Sequence, residues 1–208
     1  MTWTGQSFSV GQILTAAQMT TLQADITALA NGDSGAPKVT NAAMDSDVGI
    51  VAGTEQATTS GTSKSFSIPA GVKRVTAHFL AVSQTNANTT SFAIRLGDSG
   101  GIDTSGYLSG VSKGGAPGLG KTNCLILTTH IAAAEALSGH VTLVKESSSN
   151  HTWTISGVLT YSDGSGWMSA GRHVLTGELT TLEILLIDGS SVAFDAGAVN
   201  VTTEITGA

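Results

Sequence analysis

The stretch RLGDSGGIDTSG, residues 95–106, places a serine where its hydroxyl could act as a nucleophile. Ser99 stands between Asp98 and a pair of glycines. A serine hydroxyl becomes a strong nucleophile only when a histidine accepts its proton and a carboxylate orients that histidine. His78, in VTAHFL, and Asp25, in ADITAL, are the candidates for those two roles.

The order and spacing of these residues argue against such a triad. Chymotrypsin-like proteases carry histidine, aspartate and serine in that order, whereas Asp25 precedes both of its partners here. His78 and Ser99 are separated by about the length of one hairpin, and a second GDSG occurs at residues 32–35. The sequence therefore predicts no catalytic residue and no enzymatic activity. It predicts instead a tight turn built on glycines, namely Gly97, Gly100 and Gly101.

Metal and cofactor chemistry is not indicated by the remaining residues. The five histidines show no HxH or HExxH spacing, and the one cysteine, Cys124, lies in the apolar run CLIL. Asp98 and Asp103 could hold Ca²⁺ with backbone carbonyls, although turn aspartates are more often solvated. The Walker-like string GAPGLGKT, residues 115–122, is followed by a strand-like segment instead of the helix that binds phosphate. We expect no metal and no cofactor.

Composition limits the partners. Charged residues make up 12% and apolar residues 40% of the 208, which predicts a folded chain. The net charge is −6 and no cluster of lysine or arginine occurs, so nucleic acid is not an expected partner. The apolar runs are too short to cross a bilayer, and the N-terminus lacks the pattern of a signal peptide. We expect synthesis in the cytoplasm and no membrane insertion.

The N-terminal region carries the one strong helical pattern. The capping pair Thr15 and Gln18 and the stop Asn31-Gly32 predict a helix over residues 16–30. Its apolar residues are spaced three, four and three apart, as in the seam of a coiled coil. The seam predicts self-association; the alternative is packing against the body of its own chain. Its residues are Met19, Leu22, Ile26 and Leu29.

The pattern of the remaining residues predicts an all-β domain over residues 49–208. It follows an N-terminal segment, residues 1–48, that contains the helix and a linker over residues 31–48. Strand-like segments bounded by turn residues recur along it, and no second helical pattern is present. This predicts a jelly-roll-like β-sandwich preceded by a short helical neck. The clear segments are 72–82, 90–98, 124–130, 140–146, 152–162, 179–188 and 198–205, with weaker ones near residues 50, 65 and 173.

Several stretches resemble a known class of protein when they are taken in order. LTAAQMTTLQADITALANGDSGAP, IPAGVKRVTAHFLAVS, IRLGDSGGIDTSGYLS, TWTISGVL and FDAGAVNV are similar to segments of bacteriophage tail fibres and related virion appendages. The resemblance implies a homotrimer located in the virion. It implies that the N-terminus attaches to another virion protein and that the distal β-domain binds a glycan or protein on the host cell surface.

Two groups of residues are candidates for these contacts. Trp3, Phe8 and Ile13 are apolar residues that could anchor the chain in the particle. Aromatic residues among turn-forming neighbours are candidates for binding a host glycan, because sugar rings stack on aromatic faces. Trp167, in DGSGWMSAG, is the first choice, followed by Tyr107 and Trp153; contacts between protomers are the alternative role for all three.

Two other functions compete with the fibre. One is a capsid-decorating or head-fibre protein that stabilises the capsid or projects from it. The other is a tailspike that cleaves polysaccharide, which would require two carboxylates in a groove. The candidate carboxylates near strand ends are Asp163, Glu178, Glu183 and Asp188.

Overall fold

The computed structural model describes a large part of the chain, and its secondary structure falls into two compact units, Met1–Ser46 and Asp47–Ala208. The predicted linker lies outside the described residues beyond Asn31. The described residues are 11, 13, 15–31, 49–85, 90–114, 119–129, 133, 135–147, 149–187 and 192–205.

The N-terminal unit contains helix α1, Ala16–Asn31, which confirms the predicted helix. The predicted capping pair is formed. The Thr15 backbone N–H donates to Gln18 Oε1 at 3.0 Å, and the Gln18 N–H donates to Thr15 Oγ1 at 3.3 Å. These bonds satisfy amide groups that have no partner within the first turn of a helix.

The second unit is built from antiparallel strands. In chain order the described strands are β1 (Gly49–Ala52), β2 (Gln56–Ala57), β3 (Ser63–Ser67), β4 (Val72–Gln84), β5 (Ser91–Asp98), β6 (Gly101–Ile102), β7 (Leu108–Lys113), β8 (Leu119–Lys121), β9 (Leu125–Ile126), β10 (Leu137–Lys145), β11 (Thr152–Tyr161), β12 (Gly166–Val174), β13 (Thr181–Ile187) and β14 (Phe194–Ile205).

These strands form two sheets. The larger has the order β1-β14-β4-β10-β11-β12-β7-β8, with β2 also paired to β14. The smaller has the order β3-β13-β5-β6, with β9 also paired to β5. The prediction of an all-β sandwich with a short N-terminal helix is confirmed.

The core lies between the inner faces of the two sheets. Side chains alternate along each strand, so that Val75, Ala77 and Phe79 of β4 are buried while Arg74 and His78 are exposed. Phe92 of the smaller sheet stacks on Phe194 of the larger one, with ring centroids 5.9 Å apart. The aromatic side chains among the described residues all lie in the core, which Val, Ile, Leu and Ala complete.

One backbone irregularity interrupts the alternation of β4. Ala81, which the pattern places on the same face as Phe79, is exposed and has a φ of +50°. The register of β14 against β4 shifts on both sides of Ala196. Gly197, with a φ of +89°, approaches Ala81 so closely that a Cβ on it would overlap the Ala81 carbonyl. This contact therefore requires glycine at position 197.

The predicted strand over residues 124–130 is mostly wrong, because only Leu125 and Ile126 are paired as a strand. Beyond them the Leu127 and Thr128 amides both donate to the Phe92 carbonyl, at 2.8 and 3.4 Å, which ends the regular ladder. His130 lies outside the described residues.

Candidate functional site

The predicted helix seam is exposed to solvent over most of its length. The exposed fractions are 51% for Met19, 60% for Ile26 and 37% for Leu29, and Leu22 is half-buried. A groove runs along this side of α1 beside Met19, Leu22 and Ile26. Burying a large apolar side chain stabilises a protein by about 1.5–3 kcal/mol. A partner that covered the three exposed side chains would therefore gain several times that amount. The seam is a candidate contact surface.

The predicted N-terminal anchor is described only at Ile13. Its side chain is 89% exposed. Trp3 and Phe8 lie outside the described residues.

The expectation that Trp167 is exposed is wrong. Its side chain is 5% exposed and lies on the inner face of β12, edge-on to Tyr161, with ring centroids 6.1 Å apart. Lys113 Nζ, on the neighbouring strand β7, lies 5.6 Å from the centroid of the indole ring. The Gly and Ser neighbours of Trp167 favour a turn, but this segment is strand β12. Its side chains alternate between the two faces of the sheet, and Trp167, Ser169 and His173 point inward. Trp167 is therefore a core residue in the single chain.

Trp153 is also buried, with no exposed surface, so the expectation of exposure is wrong here too. It lies on the inner face of β11, opposite Lys145 of β10 and His173 of β12. The Lys145 side chain is 2% exposed, and its Nζ donates to Glu178 Oε1 at 2.8 Å. This hydrogen bond is the main reason that the pKa of Glu178 is lowered. The pair neutralises a lysine that the strand pattern places among core residues.

Tyr107 is 3% exposed, so the third candidate for glycan stacking is buried as well. Its hydroxyl accepts from the Leu96 N–H at 2.8 Å and lies 3.0 Å from the Asp103 carbonyl, to which it can donate. Burial raises the pKa of this phenol well above its usual value. The ring stacks on His173, whose Nε2 lies 2.8 Å from Asp103 Oδ2. Tyr107 thus joins the two sheets.

The GDSGG segment forms the tight turn between β5 and β6. Asp98 pairs with Gly101 across it, and Gly101 has a φ of +114°. Asp98 Oδ1 accepts from the Gly100 N–H at 2.7 Å. Asp98 Oδ2 accepts from Thr176 Oγ1 at 2.6 Å and from the Gly177 N–H at 2.8 Å. The aspartate therefore fastens the turn to the loop before β13.

The residues of the hypothetical triad belong to different parts of the fold. Ser99 lies in the turn of the smaller sheet, and His78 lies on β4 of the larger sheet, on the side away from the core. His78 Nε2 is 3.2 Å from Thr202 Oγ1. Asp25 lies on α1 in the other compact unit and is 3% exposed. The sandwich thus separates Ser99 from His78.

The carboxylates considered for polysaccharide cleavage are also apart. Asp163 lies in the turn after β11, where it accepts from the Ser165 N–H at 2.7 Å. Glu178 lies near His151, which comes directly before the first residue of β11, so it is at the opposite end of that strand from Asp163. Glu183 is on β13 of the smaller sheet, and Asp188 lies outside the described residues. The described carboxylates do not form a facing pair.

Within the described ranges, no group of three or more His, Cys, Asp or Glu side chains is arranged to hold a metal ion. Asp98 and Asp103, the pair considered for Ca²⁺, bond to Thr176 and His173 respectively. No described helix has the length and apolar character required to cross a membrane.

Comparison of the chain with family models, with curated proteins and with solved structures found no match.

Proposed function

We propose that this chain is a structural protein of a bacteriophage particle that works as a homotrimeric tail fibre or spike. Its N-terminal segment attaches it to the particle, and its β-sandwich contacts the host surface. The observation that carries the self-assembly is the apolar seam of α1, in which Met19, Ile26 and Leu29 are exposed and Leu22 is half-buried. The particle, the host surface and the number three come from the resemblance to fibre proteins.

The seam favours assembly for energetic reasons. A helix of sixteen residues is marginal in water on its own, since helix nucleation is costly, and among the described side chains of α1 only Asp25 and Ala28 are buried. The spacing of three, four and three matches the contact line of supercoiled helices, where each apolar side chain packs between side chains of the neighbouring helix. Association of several copies would bury the exposed Met19 and Ile26 and stabilise α1 at the same time.

The burial of Trp167, Tyr107 and Trp153 changes where host contact is proposed. Their indole and phenol faces are covered by the chain itself, so stacking on a sugar would require the core to open. We place the host contact on loops and exposed strand residues instead. A role without catalysis also agrees with the use of Asp98 and Glu178 in structural hydrogen bonds.

The first experiment measures the mass of the full chain under native conditions. We expect three copies in the parent and a shift toward single chains in Ile26→Glu, which places a charge in the seam. The matched control is Thr27→Glu, because Thr27 is the exposed neighbour of Ile26 outside the seam. A parent that is a single chain would contradict the proposal, and so would an assembly that Ile26→Glu leaves intact.

The second experiment tests attachment to the particle. Deletion of residues 1–30 should leave the unit Asp47–Ala208 folded but no longer incorporated. Incorporation at the parent's level would contradict the anchor assignment. Electron microscopy of particles carrying the full chain then gives its position, and a location on the capsid surface would favour the decoration or head-fibre alternative.

A further inference from the structure

The outer face of the larger sheet, meaning the face turned away from the smaller sheet, carries six exposed large apolar side chains. Among the described residues, the exposed large apolar side chains of strands β4, β7, β10, β11 and β12 all lie on this face. The described strands of the smaller sheet carry no exposed large apolar side chain. The outer-face residues are Leu80, Leu108, Val144, Val158, Met168 and Val174.

The middle of the outer face carries no Lys, Arg, Asp or Glu among the described residues, and its titratable side chains are His78 and His140, which lie opposite each other on β4 and β10. A row of small side chains crosses six strands in register, from β7 to β14. Its members are Gly110, Ala170, Ser156, Thr142, Thr76 and Thr202. Two arginines near one end of the strands are already paired, Arg74 with Glu204 at 3.1 Å and Arg172 with Glu146 at 3.3 Å. Covering the middle of this face would therefore desolvate the two imidazoles but no described Lys, Arg, Asp or Glu side chain.

The outer face also has a shape that suits a copy of itself. A shallow depression of about 590 Å³ lies where Gly110, Gly120 and Ala170 remove side-chain volume beside Met168. Elsewhere on the same face Leu80 and Val158 project, with exposed fractions of 64% and 58%. The contacts of a closed trimer are heterologous, so the depression of one copy would receive the projecting aliphatic groups of the next.

The area is sufficient for a stable interface. Eight strands lie side by side in the main path of the larger sheet. At about 4.8 Å per strand and about 20 Å of strand length, they cover roughly 770 Å². Specific complexes bury about 800 Å² on each partner. The outer face thus provides about the area that one side of an interface requires.

We infer that the outer face of the larger sheet is the surface through which the β-domains of neighbouring copies of this chain contact one another. The inference rests on the proposed self-assembly and adds a second contact to the helix seam. Its occupant is a copy of this chain, because the depression and the projecting aliphatic groups occur on one and the same surface, whose area matches one side of an interface. Contact by a different partner is an outcome that the test can detect.

Two methionines allow the contacts to be read separately. Met168 lies on the outer face and is 66% exposed in the single chain, whereas Met19 lies on the seam and is 51% exposed. Both thioethers oxidise to sulfoxide when solvent reaches them. Oxidation of the full chain with a limited dose of peroxide, followed by peptide mass spectrometry, measures the rate at each site.

The variants are Ala170→Glu and Ser156→Lys, each placing a charge in the small-residue row at an exposed position. The control is Ser65→Glu, at an exposed position on β3 of the smaller sheet. Circular dichroism and thermal unfolding verify that each variant is folded. If one of the two variants is unfolded, the other is compared with the parent.

In the parent we expect slow oxidation at both methionines. Ala170→Glu and Ser156→Lys should raise the Met168 rate severalfold while Met19 remains protected, and Ser65→Glu should change neither. Fast oxidation of Met168 in an assembled parent with Met19 protected would overturn the outer-face contact and leave the proposed function standing. A parent that is a single chain by native mass, with both sites fast, would contradict the proposed assembly itself. Protection of Met168 in a single chain would also overturn the inference, because no second copy would be covering it.

Discussion

The imidazole of His173 lies flat against the phenol of Tyr107, with ring centroids 3.8 Å apart and planes inclined by 10°. His173 belongs to the larger sheet, and the Tyr107 hydroxyl bonds to the backbone of Leu96 in the smaller one. Asp103 completes the contact by bonding to His173 Nε2. The two sheets are therefore connected here by ring stacking and hydrogen bonds in addition to apolar packing.

Replacing Tyr107 by phenylalanine tests this connection. The change keeps the stacking surface but removes the acceptor of the buried Leu96 N–H. An amide left without a partner in a core costs about 1–3 kcal/mol. We expect the free energy of unfolding, measured by urea denaturation, to fall by that amount. Ser67→Ala, at an exposed position on β3, should stay within about 0.5 kcal/mol of the parent, and an equally small effect of Tyr107→Phe would show that the hydroxyl contributes little.

The Asp98 carboxylate predicts a dependence of stability on pH. Its pKa is lowered from the usual 3.8, first by the hydrogen bond from Thr176 and then by that from Gly100. The folded state holds this proton less tightly than the unfolded state. The ionised Asp98 carboxylate therefore contributes to the free energy of unfolding at neutral pH. This contribution is lost as the pH falls below about 4.

Asp98→Asn should therefore lower the melting temperature at pH 7 and flatten its decline in acid. Thermal unfolding of parent and variant between about pH 7 and pH 2.5 measures both effects. The control is Glu55→Gln, at an exposed position between β1 and β2. Parallel curves for parent and Asp98→Asn would contradict the assignment, since the difference between them should shrink as acid protonates the parent's carboxylate.

The ion pair between Lys145 and Glu178 predicts a larger effect than an exposed pair. Glu178→Gln leaves the buried Lys145 ammonium without its carboxylate, although Glu178 itself is half-exposed and water can replace part of the loss. We expect a loss of about 1–3 kcal/mol in the free energy of unfolding. Glu146→Gln breaks the exposed pair with Arg172 and should cost less than about 1 kcal/mol. Equal costs for the two variants would mean that burial of Lys145 adds nothing.

Sequence pattern predicted the helix and most strands because their residues repeat with a clear period. The capping pair and the apolar spacing determine α1, and β-branched alternation marks β4, β11 and β14. Strands β7 and β8 are not predicted from the sequence, since Leu-Ser-Gly-Val-Ser-Lys and Leu-Gly-Lys contain one β-branched residue, a valine, and no aromatic residue. Pairing with β12 makes β7 a strand, and that pairing is a tertiary contact that local propensity does not report.

The same limitation explains the incorrect placement of the aromatic residues. Trp167 and Tyr107 have Gly and Ser neighbours, which suggested exposed turns, but small neighbours also suit a strand in close contact with others. The burial of Lys145, in contrast, follows from the alternation along β10. Lys145 continues the inward-facing series of Val141 and Leu143. Its partner Glu178 comes from a distant loop, which alternation does not locate.

The contact between Gly197 and Ala81 provides a last prediction, on the backbone. Gly197 has a φ of +89°, and a Cβ there would overlap the Ala81 carbonyl, so Gly197→Ala combines an unfavourable conformation with a clash. Each strained residue costs about 1–3 kcal/mol, and we expect at least about 2 kcal/mol in the free energy of unfolding. Gly166→Ala is the matched control, because a Cβ on Gly166 meets no atom within 4 Å. Equal stability of the two alanine variants would mean that β14 can shift away from Ala81. In that case the register shifts on either side of Ala196 would not be fixed by this contact.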